Sequence, residues 1–183
     1  MIRIFDIIFA IIFLIILFPI IFFTFLLSWI DTRNPFFVQK RVGQKGKAFY
    51  LVKFRSMQLN TKSVGTHLVD ETRITYFGKI LRKTKLDELP QLWNVLKGEM
   101  SFVGPRPCLF SQKKLIKERN QRKVFDQMPG ITGLAQLKGI DMSSPNLLAK
   151  TDRKMLNDLN LIKYFFYIIA TFFLIFGIKF LDR

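Results

Sequence analysis

The longest uninterrupted hydrophobic segment of the chain lies near its N-terminus. Residues 7–30 form a run of 24 residues without a charge, bracketed by Asp6 and Asp31. A straight helix of this length could cross a hydrocarbon core of about 30 Å. Pro19 lies near the middle of the run and also favours a helix-break-helix that enters one leaflet and returns. The run is long for a secretory signal, so the pattern predicts a retained membrane anchor of either shape.

After this anchor, the pattern changes to short elements separated by glycine and proline. Residues 48–54 are a β-type run that follows a turn-rich stretch. Residues 74–83 form either a short helix or an extended segment. The sequence therefore predicts a mixed domain with small amounts of strand.

Helical spacing of hydrophobic residues is clearest over residues 86–96. Pro90 would disrupt a helix interior but is tolerated in a first turn, so we expect this helix to begin near Asp87. Gly98 is a natural stop. The pattern therefore places Asp87 and the next residue, Glu88, at a helix N-terminus.

Three further segments complete the chain. Residues 111–127 predict a basic helix, whose simplest interpretation is a solvated face. Residues 147–163 predict a mixed helix, and residues 164–180 are strongly apolar. This tail could lie on the membrane surface or span it as a second helix, and its modest length favours the surface.

These patterns predict an α+β fold that is mainly helical, with surface-associated amphipathic helices. We expect a membrane-anchoring segment over residues 1–31 and a small central domain over residues 32–163. A membrane-associated C-terminal helix should occupy residues 164–183. No internal repeat or long linker divides the central domain further.

The formal net charge of +16 lies in the central domain. A domain this basic favours an anionic partner, which could be nucleic acid, anionic lipid or a phosphorylated substrate. The single cysteine, Cys108, excludes an internal disulfide, and the single histidine, His67, excludes a histidine-cluster metal site. Any catalysis must therefore rest on carboxylates and cationic side chains.

The adjacent acids Asp87 and Glu88 are the strongest candidates for chemistry. Free N–H groups at a helix start attract anions, so a phosphate bound there would meet a carboxylate already in place. Asp87 could attack phosphorus and form an acyl phosphate that passes the phosphoryl group to a second acceptor. Glu88 suits a Mg²⁺ ligand, since Mg²⁺ takes one or two carboxylates along with water and phosphate oxygens. The motif alone leaves a second interpretation open, in which both acids stabilise the helix dipole.

Four cationic side chains are candidates for binding a phosphate beside these acids. Arg106 lies between two prolines that limit backbone freedom, so its planar guanidinium could grip two phosphate oxygens with little further ordering. Lys53, Arg55 and Arg82 are further candidates for the same role.

At these residues the sequence resembles the monotopic phosphoglycosyl transferases, bacterial sugar transferases that start glycan assembly on polyprenol phosphate. The resemblance spans most of the chain and rests on several motifs in a fixed order. The motifs are RIFD at 3–6, QKRVG at 39–43, KFRSM at 53–57, LDELPQ at 86–91, NVLKG at 94–98, MSFVGPRP at 100–107 and PGITG at 129–133. The chain departs from the family pattern at Leu134, Met155 and Tyr164.

The resemblance implies a UDP-sugar donor whose β-phosphate is attacked by Asp87, with release of UMP. Polyprenol (undecaprenyl) phosphate would then take the sugar phosphate from the aspartyl intermediate, giving a polyprenol diphosphate sugar. Glu88 matches the family's Mg²⁺-associated acid and Arg106 its phosphate-contacting arginine. Gln91 and Asp152 are further candidate site residues. The chain resembles the minimal catalytic form of the family.

The resemblance also implies a place in the cell. It predicts an anchor that is re-entrant, with its break at Pro19, in the bacterial inner (cytoplasmic) membrane. The catalytic domain would face the cytoplasm, contact membrane lipids and deliver its product to downstream glycosyltransferases.

Two other classes of protein would also explain parts of the sequence. A membrane-tethered nucleic-acid-binding protein predicts exposed aromatics interleaved with Lys and Arg. The aromatics here lie mainly in apolar runs, so no nucleic acid is expected. A non-catalytic membrane adaptor would leave Asp87, Glu88 and Arg106 without a role.

Overall fold

A computed structural model describes residues 2–61, 70–178 and 180, and this part of the chain is mainly helical. The described helices are α1 (Ile2–Ile16), α2 (Phe18–Thr32), α3 (Tyr76–Thr84), α4 (Gln91–Lys97), α5 (Lys113–Gln121), α6 (Leu134–Leu137), α7 (Pro145–Asp158) and α8 (Leu161–Ile175). The described strands are β1 (Phe36–Val42), β2 (Ala48–Phe54), β3 (Ser101–Val103) and β4 (Gly130–Thr132). The mainly helical α+β fold class is confirmed.

The N-terminal hydrophobic run consists of two helices rather than one. α1 and α2 are bent by 66° at a break occupied by Leu17, and Pro19 lies in the first turn of α2. A proline lacks an N–H and its ring crowds the preceding backbone, which accounts for a break just before it. No single described helix is long and apolar enough to cross a membrane. By length and composition, the bent pair together could form a broken span or a re-entrant loop.

Both ends of this helix pair contact the central domain. At the start of α1, Arg3 donates hydrogen bonds of 2.6 and 2.8 Å to two carbonyls at the C-terminal end of α4. At the end of α2, the Asp31 carboxylate accepts a hydrogen bond of 2.6 Å from the Thr75 hydroxyl, just before α3. The pair therefore leaves the domain and returns to it, as a re-entrant segment would.

β1 and β2 form an antiparallel hairpin, and β2 coincides with the predicted β-type run. The free edge of β2 is completed by a side chain of α4. Asn94 accepts a hydrogen bond of 3.1 Å from the Val52 N–H and donates one of 2.7 Å to the Tyr50 carbonyl. An amide side chain can replace a neighbouring strand because it carries both a donor and an acceptor. This pairing fixes α4 against the hairpin.

The helix predicted over residues 86–96 is divided in two. A 3₁₀ turn, Leu86–Glu88, precedes α4, and Pro90 occupies the N-cap position of α4. The prediction that one helix begins near Asp87 was therefore wrong by about one turn, because the proline sets the start of the regular helix. Gly98 ends α4 in the left-handed conformation, as predicted.

The remaining helices differ from the predictions mainly in their ends. α3 confirms the helical alternative for residues 74–83. The predicted basic helix over residues 111–127 ends at Gln121, and a further 3₁₀ turn follows at Val124–Asp126. The predicted helix over residues 147–163 ends at Asp158. Asn160 then caps α8 by accepting a hydrogen bond from the Lys163 N–H, so the apolar tail begins inside α8.

β3 and β4 pair in parallel and bring two glycines into close contact. A Cβ atom on Gly130 would lie 2.0 Å from the backbone nitrogen of Gly104. Only glycine fits at this crossing, since contacts under about 3 Å are repulsive. The chain leaves this crossing as the segment 105–108, which contains Arg106.

One hydrophobic core joins the two ends of the chain to the central domain. Its buried members include Ala10, Leu51, Val95, Met100, Phe102, Tyr164 and Ala170. Inside it, the Asp6 carboxylate accepts hydrogen bonds from the Tyr164 hydroxyl (2.8 Å), the Ser101 hydroxyl (2.9 Å) and the Phe102 N–H (3.0 Å). The division at residues 31 and 163 stays a prediction, and the described core crosses both boundaries.

Candidate active site

The β-hairpin supplies one wall of a polar cavity of about 190 Å³. In the β1–β2 register Phe37 is opposite Lys53 and Arg41 is opposite Phe49, so these four side chains share a face. Phe37, Arg41 and Lys53 line the cavity. Burial and the neighbouring Arg106 lower the pKa of Arg41 to about 10.

A second wall comes from α3 and the chain after β2. A Cβ on Gly78 would lie 2.1 Å from the Ser56 carbonyl oxygen, so this glycine permits α3 to approach the backbone closely. One turn later, Arg82 donates a hydrogen bond of 2.9 Å to the Ser56 hydroxyl. Arg55 donates to two carbonyls of the segment 34–36. Both arginines line the cavity.

The two acids lie opposite the hairpin, and cations engage them unequally. Lys53 Nζ is 2.5 Å from Glu88 Oε1 and 3.9 Å from Asp87 Oδ2. Arg106 Nη2 donates a hydrogen bond of 2.9 Å to the same Glu88 oxygen. The cationic side chains that line the cavity are Arg41, Lys53, Arg55, Arg82, Lys85 and Arg106. The site therefore holds two acids within a strongly cationic wall, which suits a substrate with several phosphate charges.

The electrostatic surroundings give the two acids different properties. Burial raises the pKa of Asp87, and Lys53 opposes that rise. Burial acts on Glu88 as well, but Lys53 and Arg106 outweigh it and hold the pKa of Glu88 well below its usual range. Glu88 is thus a fixed anion that orders two cations, whereas Asp87 is less tightly engaged and is the better candidate for attack on a substrate.

A second, mostly apolar groove of about 320 Å³ adjoins the cavity. Its apolar lining comes from α1, α4, α6, α8, β3 and β4, together with Leu17 and Leu89. The lining includes Phe13, Leu17, Leu92, Ile131, Leu174 and Ile175. Lys85, Glu88 and Arg106 line both spaces. Glu88 therefore lies where the cationic cavity meets the apolar groove, close to the break between α1 and α2, and Asp87 lines the cavity beside it.

The structure brings six of the predicted site residues to one place. Asp87, Glu88, Arg106, Lys53, Arg55 and Arg82 all line the polar cavity.

Two other residues that the sequence singled out, Gln91 and Asp152, do not line the cavity. Gln91 is buried, and its amide nitrogen has no hydrogen-bond partner among the described residues. Asp152 is fully buried against Arg119. His67 lies outside the described residues.

Sequence reasoning did not single out Arg41, Lys85 or Arg119. Arg41 could have been found from strand alternation, since Gln39 and Arg41 lie on one face of β1. Arg119 belongs to the helix interpreted as a solvated face, yet its exposed fraction is 1%. Periodicity over so short and basic a helix could not separate this arginine from its exposed neighbours.

The chemistry of the two acids fits the Mg²⁺ ion that the resemblance implies. Glu88 is ionised and lies beside a second carboxylate, and Mg²⁺ needs only one or two protein carboxylates. Within residues 2–61, 70–178 and 180, no group of three or more His, Cys, Asp or Glu side chains could hold a metal. An ion at Glu88 would therefore complete its shell with water and substrate phosphate oxygens.

The site thus combines two adjacent acids with a cationic cavity that adjoins a mostly apolar groove, an arrangement that suits phosphorylated substrates. The chain belongs to the bacterial sugar transferase family, whose model matches residues 1–177. The predicted membership of the phosphoglycosyl transferases and the prediction of a transferase are both confirmed.

Three relatives illustrate the similarity. The chain is 46% identical over 138 residues to the sugar transferase EpsL of Bacillus subtilis, covering 75% of this chain and 68% of that protein. It is 44% identical over 119 residues to the UDP-glucose:undecaprenyl-phosphate glucose-1-phosphate transferase of Xanthomonas campestris, covering 61% of this chain and 24% of the relative. It is 36% identical over 140 residues to the UDP-N-acetylgalactosamine-undecaprenyl-phosphate N-acetylgalactosaminephosphotransferase of Aeromonas hydrophila. This match covers 72% of this chain and 32% of the relative. The match thus spans about two thirds of the first relative and a third or less of the other two.

Proposed function

We propose that the protein transfers a sugar 1-phosphate from a UDP-sugar to polyprenol phosphate, with Asp87 as the covalent nucleophile. The observation that carries this proposal is that Asp87 lies in the cationic cavity directly beside Glu88, which lines both that cavity and the apolar groove. The cavity suits the charged donor and the groove suits the lipid acceptor. The names of the Xanthomonas and Aeromonas relatives describe the same pairing of substrates.

In the first step a carboxylate oxygen of Asp87 attacks the β-phosphorus of the UDP-sugar. An O–P bond forms, the bond between that phosphorus and the UMP oxygen breaks, and UMP leaves with the bonding electrons. Lys53 and Arg106 lower the cost of bringing a carboxylate up to a negatively charged phosphate, since both lie beside the acids. A Mg²⁺ ion held by Glu88 would supply further charge neutralisation on the phosphate oxygens.

In the second step an oxygen of polyprenol phosphate attacks the same phosphorus. The Asp87–phosphorus bond breaks, the carboxylate is regenerated, and a polyprenol diphosphate sugar is released. The acceptor headgroup would reach the site from the groove side, where Lys85 and Arg106 face both spaces. Because attacking and leaving oxygens are roughly in line, the acceptor oxygen would take the place that UMP vacates, with the lipid chain extending into the groove.

The acceptor is a membrane lipid, so the same proposal places the anchor in a bilayer. α1 and α2 would enter one leaflet from the cytoplasmic side of the inner membrane and return, with both ends held by the domain. α8 would lie beside α1, because Phe165 packs edge-on against Phe5 and Phe9. The face of α8 turned away from the core is apolar and exposed. Its members are Ile162, Phe166, Ile169 and Phe172, and the exposed Phe176 follows just after the helix. Lipid chains are a suitable partner for these side chains.

The test is a panel of UDP-sugars offered to purified full-length protein in lipid nanodiscs with polyprenol phosphate. We expect UMP release and transfer of radiolabelled sugar phosphate into the organic phase with at least one donor. Asp87→Asn protein serves as the control and should give neither signal. Absence of both signals with every donor would refute the proposal, and binding of nucleic acid would favour the other explanation of the charge.

A further inference from the structure

The backbone that presents Arg106 is held at four consecutive carbonyls. Four donors from different parts of the fold each bond one of them. The donors are the Gly130 N–H to Pro105 (3.0 Å), Arg119 Nη1 to Arg106 (2.8 Å), Arg41 Nη1 to Pro107 (3.0 Å) and the Val42 N–H to Cys108 (2.9 Å). The segment 105–108 is therefore fixed along its length, although its two prolines can donate no hydrogen bond of their own.

The donor to the Arg106 carbonyl is part of a buried ion pair. Arg119 lies on α5 and Asp152 on α7, and their exposed fractions are 1% and 0%. Arg119 donates from Nε and Nη2 to Asp152 Oδ2, at 3.0 and 2.7 Å. Burying two charges is costly unless the geometry is well satisfied, and an apolar pair of the same size often serves stability equally well. Stability alone therefore does not account for an arginine at this position.

The geometry points to a role through Arg106. We infer that Arg119 and Asp152 are positioning residues: Asp152 orients the Arg119 guanidinium, which fixes the Arg106 peptide and so aims the Arg106 side chain at the substrate phosphate. Arg106 in turn bonds Glu88, so the chain of contacts runs from α7 to the acids. This inference rests on the proposed function, in which Arg106 contacts the donor phosphate.

The first test is a binding measurement that does not need turnover. In full-length Asp87→Asn protein, the dissociation constant of the UDP-sugar is measured by calorimetry after adding Arg119→Lys, Asp152→Asn or Arg106→Ala. Each addition should weaken binding by about 10- to 100-fold, since small misplacements of a substrate-positioning group cost this much. Arg122→Gln is the matched control and should leave binding unchanged, because Arg122 lies just after α5 and pairs with Glu118 of that helix.

The decisive arm combines two changes. If Arg119 acts only through Arg106, adding Arg119→Lys to Arg106→Ala should weaken binding by less than about twofold further. The inference would be overturned if the two substitutions together raised the dissociation constant by the product of their separate effects. It would also be overturned if the Arg119→Lys protein bound the UDP-sugar as tightly as its parent. Failure of the parent Asp87→Asn protein to bind any UDP-sugar would instead refute the proposed function.

An apolar double variant separates positioning from folding. Arg119→Met combined with Asp152→Leu fills the same volume without buried charge, so it should keep the melting temperature of the parent. It removes the donor to the Arg106 carbonyl, and we expect the same 10- to 100-fold loss of donor binding. A folded double variant with unchanged binding would contradict the positioning role, even if the single variants fail to fold.

Discussion

Lys53 Nζ lies 2.5 Å from Glu88 Oε1, which joins the hairpin to the turn that carries the acids. The two residues are 35 positions apart in sequence, and the Asn94 contacts between α4 and β2 bring them together. The same ammonium lies 3.9 Å from the Asp87 carboxylate. Lys53 therefore interacts with both acids, and removing its charge should change the pKa of each.

The first prediction concerns the pH dependence of the donor step. Asp87 must be ionised to attack, so activity is lost as pH falls through its pKa. Burial raises this pKa and Lys53 opposes the rise, so Lys53→Gln should raise it further. We expect the acid limb of kcat/KM to move to higher pH, along with a lower plateau.

The measurement for this prediction is UMP release across pH in the presence of one UDP-sugar. Lys97→Gln is the matched control, because Lys97 pairs with Glu99 on the surface and does not line the cavity. An acid limb that stays in place in the Lys53 variant, or moves to lower pH, would contradict the role assigned to Lys53.

The second prediction concerns the apolar groove. Leu174→Trp should fill the groove and raise the KM for polyprenol phosphate by about tenfold, the effect of about 1.4 kcal/mol of lost binding. The donor half-reaction should be unaffected, because Leu174 does not line the polar cavity. Phe172→Trp, on the exposed face of the same helix, is the control. Equal effects on donor and acceptor steps would argue against a separate acceptor groove.

The third prediction concerns the attachment of α8. The Tyr164 hydroxyl donates to the buried Asp6 carboxylate, so Tyr164→Phe removes a hydrogen bond to a charged group. The free energy of unfolding should fall by about 1.5–3 kcal/mol, read from thermal unfolding in detergent. Tyr76→Phe is the control. Because the Tyr76 side chain is 85% exposed, this variant should unfold at the same temperature as the parent protein. A Tyr164 variant as stable as the parent would mean that the Asp6 contact contributes little.

The fourth prediction concerns the topology of the anchor. In a Cys108→Ser background, single cysteines at positions 2 and 34 should both be protected from an impermeant thiol reagent in intact cells. Both should become reactive when the cells are opened, since the two ends of the helix pair contact one domain. Labelling at position 2 from the periplasm would contradict the re-entrant form. Pro19→Ala restores an N–H donor and should shift some molecules toward a spanning helix.

The sequence predicted a break of the anchor near Pro19 and marked six residues that the structure brings to one cavity. A proline inside a long apolar run has few structural alternatives, and family motifs mark the residues that gather around Asp87. The start of α4 was misplaced because a 3₁₀ turn and an α-helix share the same hydrophobic spacing over so few residues. Propensity could not separate them without the contacts that hold the turn in place.

The role of α5 was harder to predict for a different reason. Arg119 looks like its neighbours in sequence, and only the packing of α5 against α7 reveals that it is buried on Asp152. The apolar groove could not be predicted either, because its walls come from six elements far apart in sequence: α1, α4, α6, α8, β3 and β4. Sites built from residues far apart in the chain can be predicted only with the tertiary structure, whereas helix ends and breaks at proline or glycine can be predicted from the local sequence.

The most direct test of the central claim is capture of the covalent intermediate. Full-length protein is incubated with a UDP-sugar labelled at the β-phosphate, without polyprenol phosphate, and digested for mass spectrometry. We expect a sugar phosphate on Asp87 in stoichiometric balance with released UMP, no adduct in Asp87→Asn, and slower capture that responds to Mg²⁺ concentration in Glu88→Gln. Release of UMP only when the acceptor is present, with no adduct on Asp87, would contradict the covalent mechanism.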